Sequence, residues 1–128
     1  MTKKHGVINP GLASGLARLG HTQLVCIADF GLPLPAGANI VDLSLVRGIP
    51  TFNQVLDAVL AEIEVEGAVS ASESQGTVVD TWLRERNLEP EYVPHEEFKA
   101  LLDRAQLIIR TGEATAYANV ILRCGVPF

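Results

Sequence analysis

The sequence predicts an α/β domain, a mostly parallel sheet with helices on both faces, built as one unit over residues 1–128. Three observations lead there. Segments with helical spacing of apolar residues alternate with short apolar runs along the whole chain. The run Leu24 to Ala28 is continuously apolar, as suits a strand covered on both faces of a parallel sheet. Finally, 48% of the 128 residues are apolar and only 5% aromatic, so one core built of aliphatic side chains is expected.

In order along the chain, Asn9-Pro10 reads as a helix start, with Asn9 as the cap and Pro10 in the first turn. Leu12, Leu16 and Leu19 then share a face, and Gly20 is the expected stop. Leu24 to Ala28 is the first strand, and Asp29 ends it. The segment FGLPLPAGAN, with two prolines and two glycines, reads as loop, and Ile40 to Leu45 as a second strand. From Thr51 to Val65 apolar residues recur at helical spacing from Phe52 to Ile63. A short strand over Gly67 to Ala71, a helix over Thr77 to Arg86 and an extended piece over Glu91 to Val93 follow. His95 to Ala105 reads as a helix with Phe98, Leu101 and Leu102 inward. Leu107 to Arg110 and Val120 to Leu122 are the last strands. No internal repeat, linker or low-complexity tract interrupts this order.

Ten basic against fifteen acidic residues give a net charge of −5, so nucleic acid and anionic membrane are not expected partners. The aliphatic excess favours self-association. The opening MTKKHGVINPG has no apolar core after its lysines, and no apolar run has transmembrane length. Cys26 lies in an apolar strand and Cys124 near the C-terminus, a pair that forms neither a disulfide framework nor a redox motif. A reducing cytoplasm is the expected compartment.

Ligands of open parallel sheets collect beyond the carboxyl ends of strands, which is where Asp29 falls. His21 follows a helix C-terminus, where the dipole and free carbonyls favour an imidazolium, and a nearby carboxylate would add to that; a proton donor near neutral pH is the functional reading, a polar loop residue the alternative. His95 stands at a helix N-terminus, where a neutral ring can hydrogen-bond a ligand hydroxyl or simply sit at the surface. Tyr117-Ala118-Asn119 offers a phenol and an amide within three residues, suited to a polyhydroxylated ligand or to a polar loop. No HxH, HxxxH or CxxC spacing supports a metal, and no glycine-rich phosphate loop supports a nucleotide. Cys26, between Val25 and Ile27, is expected in the core.

KKHGVINPGLASGLARLGHTQLVCIADFGLPLP, DLSLVRGIPTF, HEEFK and IIRTGEATAYANVILRCGVPF together closely resemble the D-ribose pyranase family, which is related to the fucose mutarotases. The resemblance covers nearly the whole chain. Ala116 departs from it, standing where proline is usual before YAN, and so does the stretch SASESQGTVVDTWLRERN. The resemblance implies a Rossmann/flavodoxin-like three-layer subunit in a ring-shaped homo-oligomer, a homodecamer of two pentamers, with sites between neighbours. It implies an isomerase that interconverts the β-pyranose and β-furanose forms of D-ribose, in support of ribose utilisation, with no cofactor and no metal. By position, His21 is then the proton donor, while Asp29, His95, Tyr117, Ala118 and Asn119 bind the sugar. A fucose-type mutarotase and a non-catalytic sugar-binding ring subunit are the rival readings.

Overall fold

The computed structural model describes residues 1–128. One sheet contains β1 (Leu24–Ala28), β2 (Ile40–Asp42), β3 (Val65–Ala71), β4 (Glu91–Val93), β5 (Ala105–Arg110) and β6 (Val120–Cys124), in the order β2-β5-β1-β6-β3-β4. The pairs β1–β5, β2–β5 and β3–β4 are parallel, and β6 is antiparallel to both β1 and β3. Five strands therefore run one way and β6 alone returns through the middle. The carboxyl ends of the five and the amino end of β6 share one edge of the sheet.

Helices cover both faces, as the sequence predicts. On one face α1 (Pro10–Ala17), α2 (Phe52–Leu60) and α3 (Val78–Glu85) pack Leu12, Leu16, Phe52, Leu56, Val79 and Leu83 against Val25, Ile27, Leu107 and Leu122. On the other, α4 (His95–Leu101) packs Phe98 against Cys26, Ala28, Ile108 and Ile121, with Leu102 just beyond it and Leu32 from the loop after β1. The strict alternation of Val25 and Ile27 with Cys26 and Ala28 between the two clusters shows why β1 has no polar position: both its faces are dry.

Caps locate the helix starts. The Asn9 side chain accepts from the Leu12 N–H at 2.9 Å, and Thr51 and Gln54 form a reciprocal capping box on α2. Several ends differ from the sequence reading. β2 stops at Asp42 because the Asp42 carboxylate accepts from the Ser44 N–H at 3.0 Å and turns the chain out of the ladder. α1 ends at Ala17, capped by Arg18 before Gly20 is reached. α2 ends at Leu60 although apolar spacing runs on to Ile63, since Val65 pairs with Cys124 and β3 begins there. α4 ends at Leu101; a 3₁₀ turn over Leu102–Arg104 follows, and Ala105 pairs with Leu24 at the start of β5.

The loop after β5 is fastened to the start of α2. Glu113 accepts from the Phe52 N–H at 2.9 Å and, with its other oxygen, from the Thr115 hydroxyl at 2.9 Å. Burial pushes this carboxyl up, but the hydrogen bonds from Phe52, Thr115 and Ala114 outweigh burial and hold it below the ordinary carboxylate range. Gly112, one residue earlier, gives its N–H to the Pro50 carbonyl at 2.8 Å, and a Cβ there would lie 2.5 Å from the Ile49 carbonyl oxygen. No side chain fits between these two backbones.

Gly112→Ala should therefore force the 49–50 segment away and lower stability by about 1–3 kcal/mol, read as an earlier urea midpoint; an unchanged midpoint would show that the segment yields freely. A carboxyl lowered by folding contributes stability that is present above its unfolded value and lost as pH falls through its folded value. Between about pH 6 and about pH 3, the wild-type melting temperature should thus fall more steeply than that of Glu113→Gln. Parallel slopes in thermal melts would exclude Glu113 as a source of the acid sensitivity.

Candidate active site

The carboxyl edge of the sheet carries a cavity of about 290 Å³. Asp29 and the residues Phe30 to Pro33 after β1 form one wall, His95 at the start of α4 a second, and Glu113 to Tyr117 before β6 the third. This is where open α/β sheets present ligand sites, and the reversed β6 is what brings the 113–117 loop to it.

Each polar wall is held from behind. The Asn119 side chain, buried at 2% exposure, spans Asp29: its Oδ1 accepts from the Asp29 N–H at 2.8 Å and its Nδ2 donates to the Asp29 carboxylate at 3.1 Å. The other Asp29 oxygen accepts from the Gly31 N–H at 3.0 Å. His95 gives its backbone N–H to both oxygens of Glu73, at 3.0 and 3.1 Å, and its ring meets the Tyr117 ring edge-on at 5.2 Å between centroids. The His95 Nδ1 is buried with no hydrogen-bond partner. Tyr117 has φ of 61°, a left-handed conformation that sets the ring toward His95 at the expense of backbone strain.

Of the residues expected from sequence, Asp29, His95 and Tyr117 line this cavity. Ala118 and Asn119 lie behind it; the Ala118 methyl is fully buried in the larger core cluster. Cys26 is a core residue, its thiol pushed far up by burial and further by Asp29.

His21 is elsewhere. It precedes β1, and Asp29 follows it, so the two are separated by the length of the strand, about 13 Å of rise. The carboxylate beside His21 is not Asp29 but Glu66 in β3, whose Oε2 lies 3.0 Å from the His21 Nε2. Arg123 in β6 donates from Nε to the other Glu66 oxygen at 3.1 Å. The hydrogen bond from His21, opposed by partial loss of solvent and reinforced by the charge of His21 and by Arg123, holds the Glu66 carboxyl below its ordinary range. Thr22 next to His21 has φ of 71°, which is strained for a β-branched residue, and its N–H is pinned to the Cys124 carbonyl at 2.8 Å. No three His, Cys, Asp or Glu side chains converge as a metal ion would need.

Sequence reasoning missed Glu66, Glu73 and Glu113. Glu66 reads as the polar tail of a helix until its pairing with β6 is known. Glu73 lies in SASESQGTVVDTWLRERN, outside the segments that carry the resemblance, and only Glu113, in IIRTGEATAYANVILRCGVPF, fell within one.

The model of the RbsD / FucU transport protein family matches residues 2–127. The D-ribose pyranase of Cutibacterium acnes is 48% identical to the chain, covering 98% of it and 99% of the relative. That of Corynebacterium glutamicum strain ATCC 13032 is 51% identical with the same coverages. The structure of Bacillus subtilis RbsD complexed with D-ribose superposes with a TM-score of 0.92 at 45% identity, over 98% of this chain and 99% of that one. The fucose mutarotase of Streptococcus pneumoniae in complex with L-fucose, at 23% identity, TM-score 0.84 and coverages of 98% and 100%, shares the fold. The chain belongs to the RbsD / FucU family.

Proposed function

We propose that the chain is an isomerase that interconverts the β-pyranose and β-furanose forms of D-ribose. The observation that carries the reading is one cavity in which Asp29, His95 and Tyr117 converge. Curated relatives covering the full chain at 48–51% identity, named D-ribose pyranase, supply the sugar. Reversible ring opening asks for little beyond such groups. The pyranose ring oxygen gains a proton, the bond from C1 to that oxygen breaks with its electron pair, and the anomeric hydroxyl loses its proton as C1 becomes an aldehyde. After rotation the C4 hydroxyl adds to C1, gives its proton back to the donor, and the carbonyl oxygen regains the other.

His21 is the donor in this scheme, Asp29 the group at hand for the anomeric proton, and His95 and Tyr117 hold ribose hydroxyls. Asn119 acts by holding Asp29, and Ala118 has only its backbone to offer. Because His21 and the cavity lie at opposite edges of one subunit, His21 of a neighbouring subunit completes each site. Leu45 and Val46, 75% and 58% exposed, line a hollow that shares Phe30 with the cavity, and Ile49, 53% exposed, is bridged to Val46 beside it, a surface that a neighbour in a ring-shaped homodecamer would cover. No helix is long and apolar enough to cross a membrane. Both cysteines are free thiols, in keeping with a cytoplasmic site of action.

Exchange NMR on D-ribose should show faster pyranose–furanose interconversion with the wild-type protein, and a loss on the order of 10²–10⁴ in that acceleration with His21→Ala. Acceleration of fucose anomer exchange alone would refute the ribose assignment, and an inert wild-type assembly would favour a binding subunit. Mixing tests the shared site. Co-assembled His21→Ala and Asp29→Ala subunits, each inactive alone, should regain about a quarter of wild-type activity by random pairing across an interface. No regain in verified mixed assemblies would place the whole site in one chain.

A further inference from the structure

We propose that Glu66 is a positioning residue that holds the His21 ring through Nε2–H, so that Nδ1 is the nitrogen that gives and takes the sugar's proton. The inference rests on the reading of His21 as the proton donor. Its starting point is the chemistry of the contact: an ionised carboxylate can only accept hydrogen bonds, so the Nε2 found 3.0 Å from Glu66 Oε2 must carry the hydrogen. The lowered carboxyl of Glu66 keeps it in that acceptor state. The His21 side chain is about half exposed, and its Nδ1 makes no hydrogen bond within the chain, which leaves that nitrogen free for a ligand.

Glu66 is itself held in place. Arg123 occupies its second oxygen, and Gly67 makes room for the guanidinium: a Cβ at Gly67 would lie 2.8 Å from Arg123 Nη2. The cluster thus spans β3 and β6 and the turn before β1, where Thr22 accepts a strained conformation beside His21. In the reaction the imidazolium loses the Nδ1 proton to the ring oxygen, remains as the Nε2–H tautomer on Glu66, and regains the proton at Nδ1 from the hydroxyl that closes the new ring. A histidine whose second nitrogen is held by a carboxylate keeps one tautomer and one orientation through such a cycle.

Glu66→Gln provides the test, because Arg123 and His21 engage different oxygens of Glu66 and the amide keeps an acceptor at only one of those two places. With its oxygen on Arg123, the amide NH₂ of the variant faces the His21 Nε2 and demands the Nδ1–H tautomer. The assembled protein, labelled with ¹⁵N in histidine, reports this tautomer by NMR, with His21→Ala identifying the signal. We expect Nε2–H in wild type, Nδ1–H in Glu66→Gln, and kcat for ribose exchange down about tenfold to a hundredfold with KM within about twofold. Adding Arg123→Leu to Glu66→Gln frees the amide oxygen and should restore the Nε2–H tautomer and part of kcat. An Nδ1–H tautomer in wild type, or a wild-type kcat in correctly assembled Glu66→Gln, overturns the proposal. Should Glu66→Gln not assemble, the wild-type spectrum alone decides. Full activity in His21→Ala is a different failure, that of the donor reading itself, and is seen without any Glu66 variant.

Discussion

The reversal of β6 inside an otherwise unidirectional sheet is the constraint on which the rest of the molecule depends. An antiparallel strand between β1 and β3 has its first residues at the carboxyl edge and its last at the amino edge. Its entry therefore delivers Tyr117 to the same cavity as Asp29 and His95 and sets Asn119 behind Asp29, and its exit places Arg123 against Glu66 and the Cys124 carbonyl against Thr22. Were β6 parallel to β1, both sets of contacts would be lost together. The register with β1, Leu24 opposite Arg123 and Ile27 opposite Val120, thus fixes two chemical sites with one set of ladder hydrogen bonds.

The two sites are built differently. At the carboxyl edge, Asp29 is fixed by Asn119 and Gly31 and needs no partner to keep its shape, while Glu113 and Glu73 hold the surrounding backbone. These are side-chain bonds to backbone N–H groups, which fix a loop without filling the cavity it borders. At the amino edge the His21, Glu66 and Arg123 side chains interact chiefly with each other and remain 52%, 35% and 51% exposed.

What was legible in the sequence follows from how local each cause is. Caps such as Asn9 and Thr51, and the unbroken apolar run of β1, are written in adjacent residues, and helices, strands and both covered faces emerge from them. Element ends were less legible. The helical spacing running to Ile63 and the polar pattern around Ser44 are overridden by contacts with β6 and by the Asp42 turn, which no local pattern displays. The site shows the same division. Asp29 lies at a strand end and His95 at a helix start, places where ligand groups are looked for, whereas the partner of His21 is 45 residues away and becomes its neighbour only through the sheet order. That is why a carboxylate could be anticipated beside His21 without its identity as Glu66 being legible.

Exposure of the acid end then bears on how catalysis and assembly are coupled. A charge pair open to water is screened and contributes little, but the same pair with water displaced by a protein wall acts at a lower effective dielectric and orients its hydrogen bonds more strongly. The apolar surface at Leu45, Val46 and Ile49 lies beside the cavity, so covering it with a second subunit would exclude water from the cavity opening. Burial of that apolar surface would then drive association, while the polar groups at either edge set which face of the neighbour can dock. On the proposed assignment of His21 as donor, the strand that separates it from Asp29 would make activity a property of the interface, with Glu66 keeping the donor in one orientation before any sugar arrives.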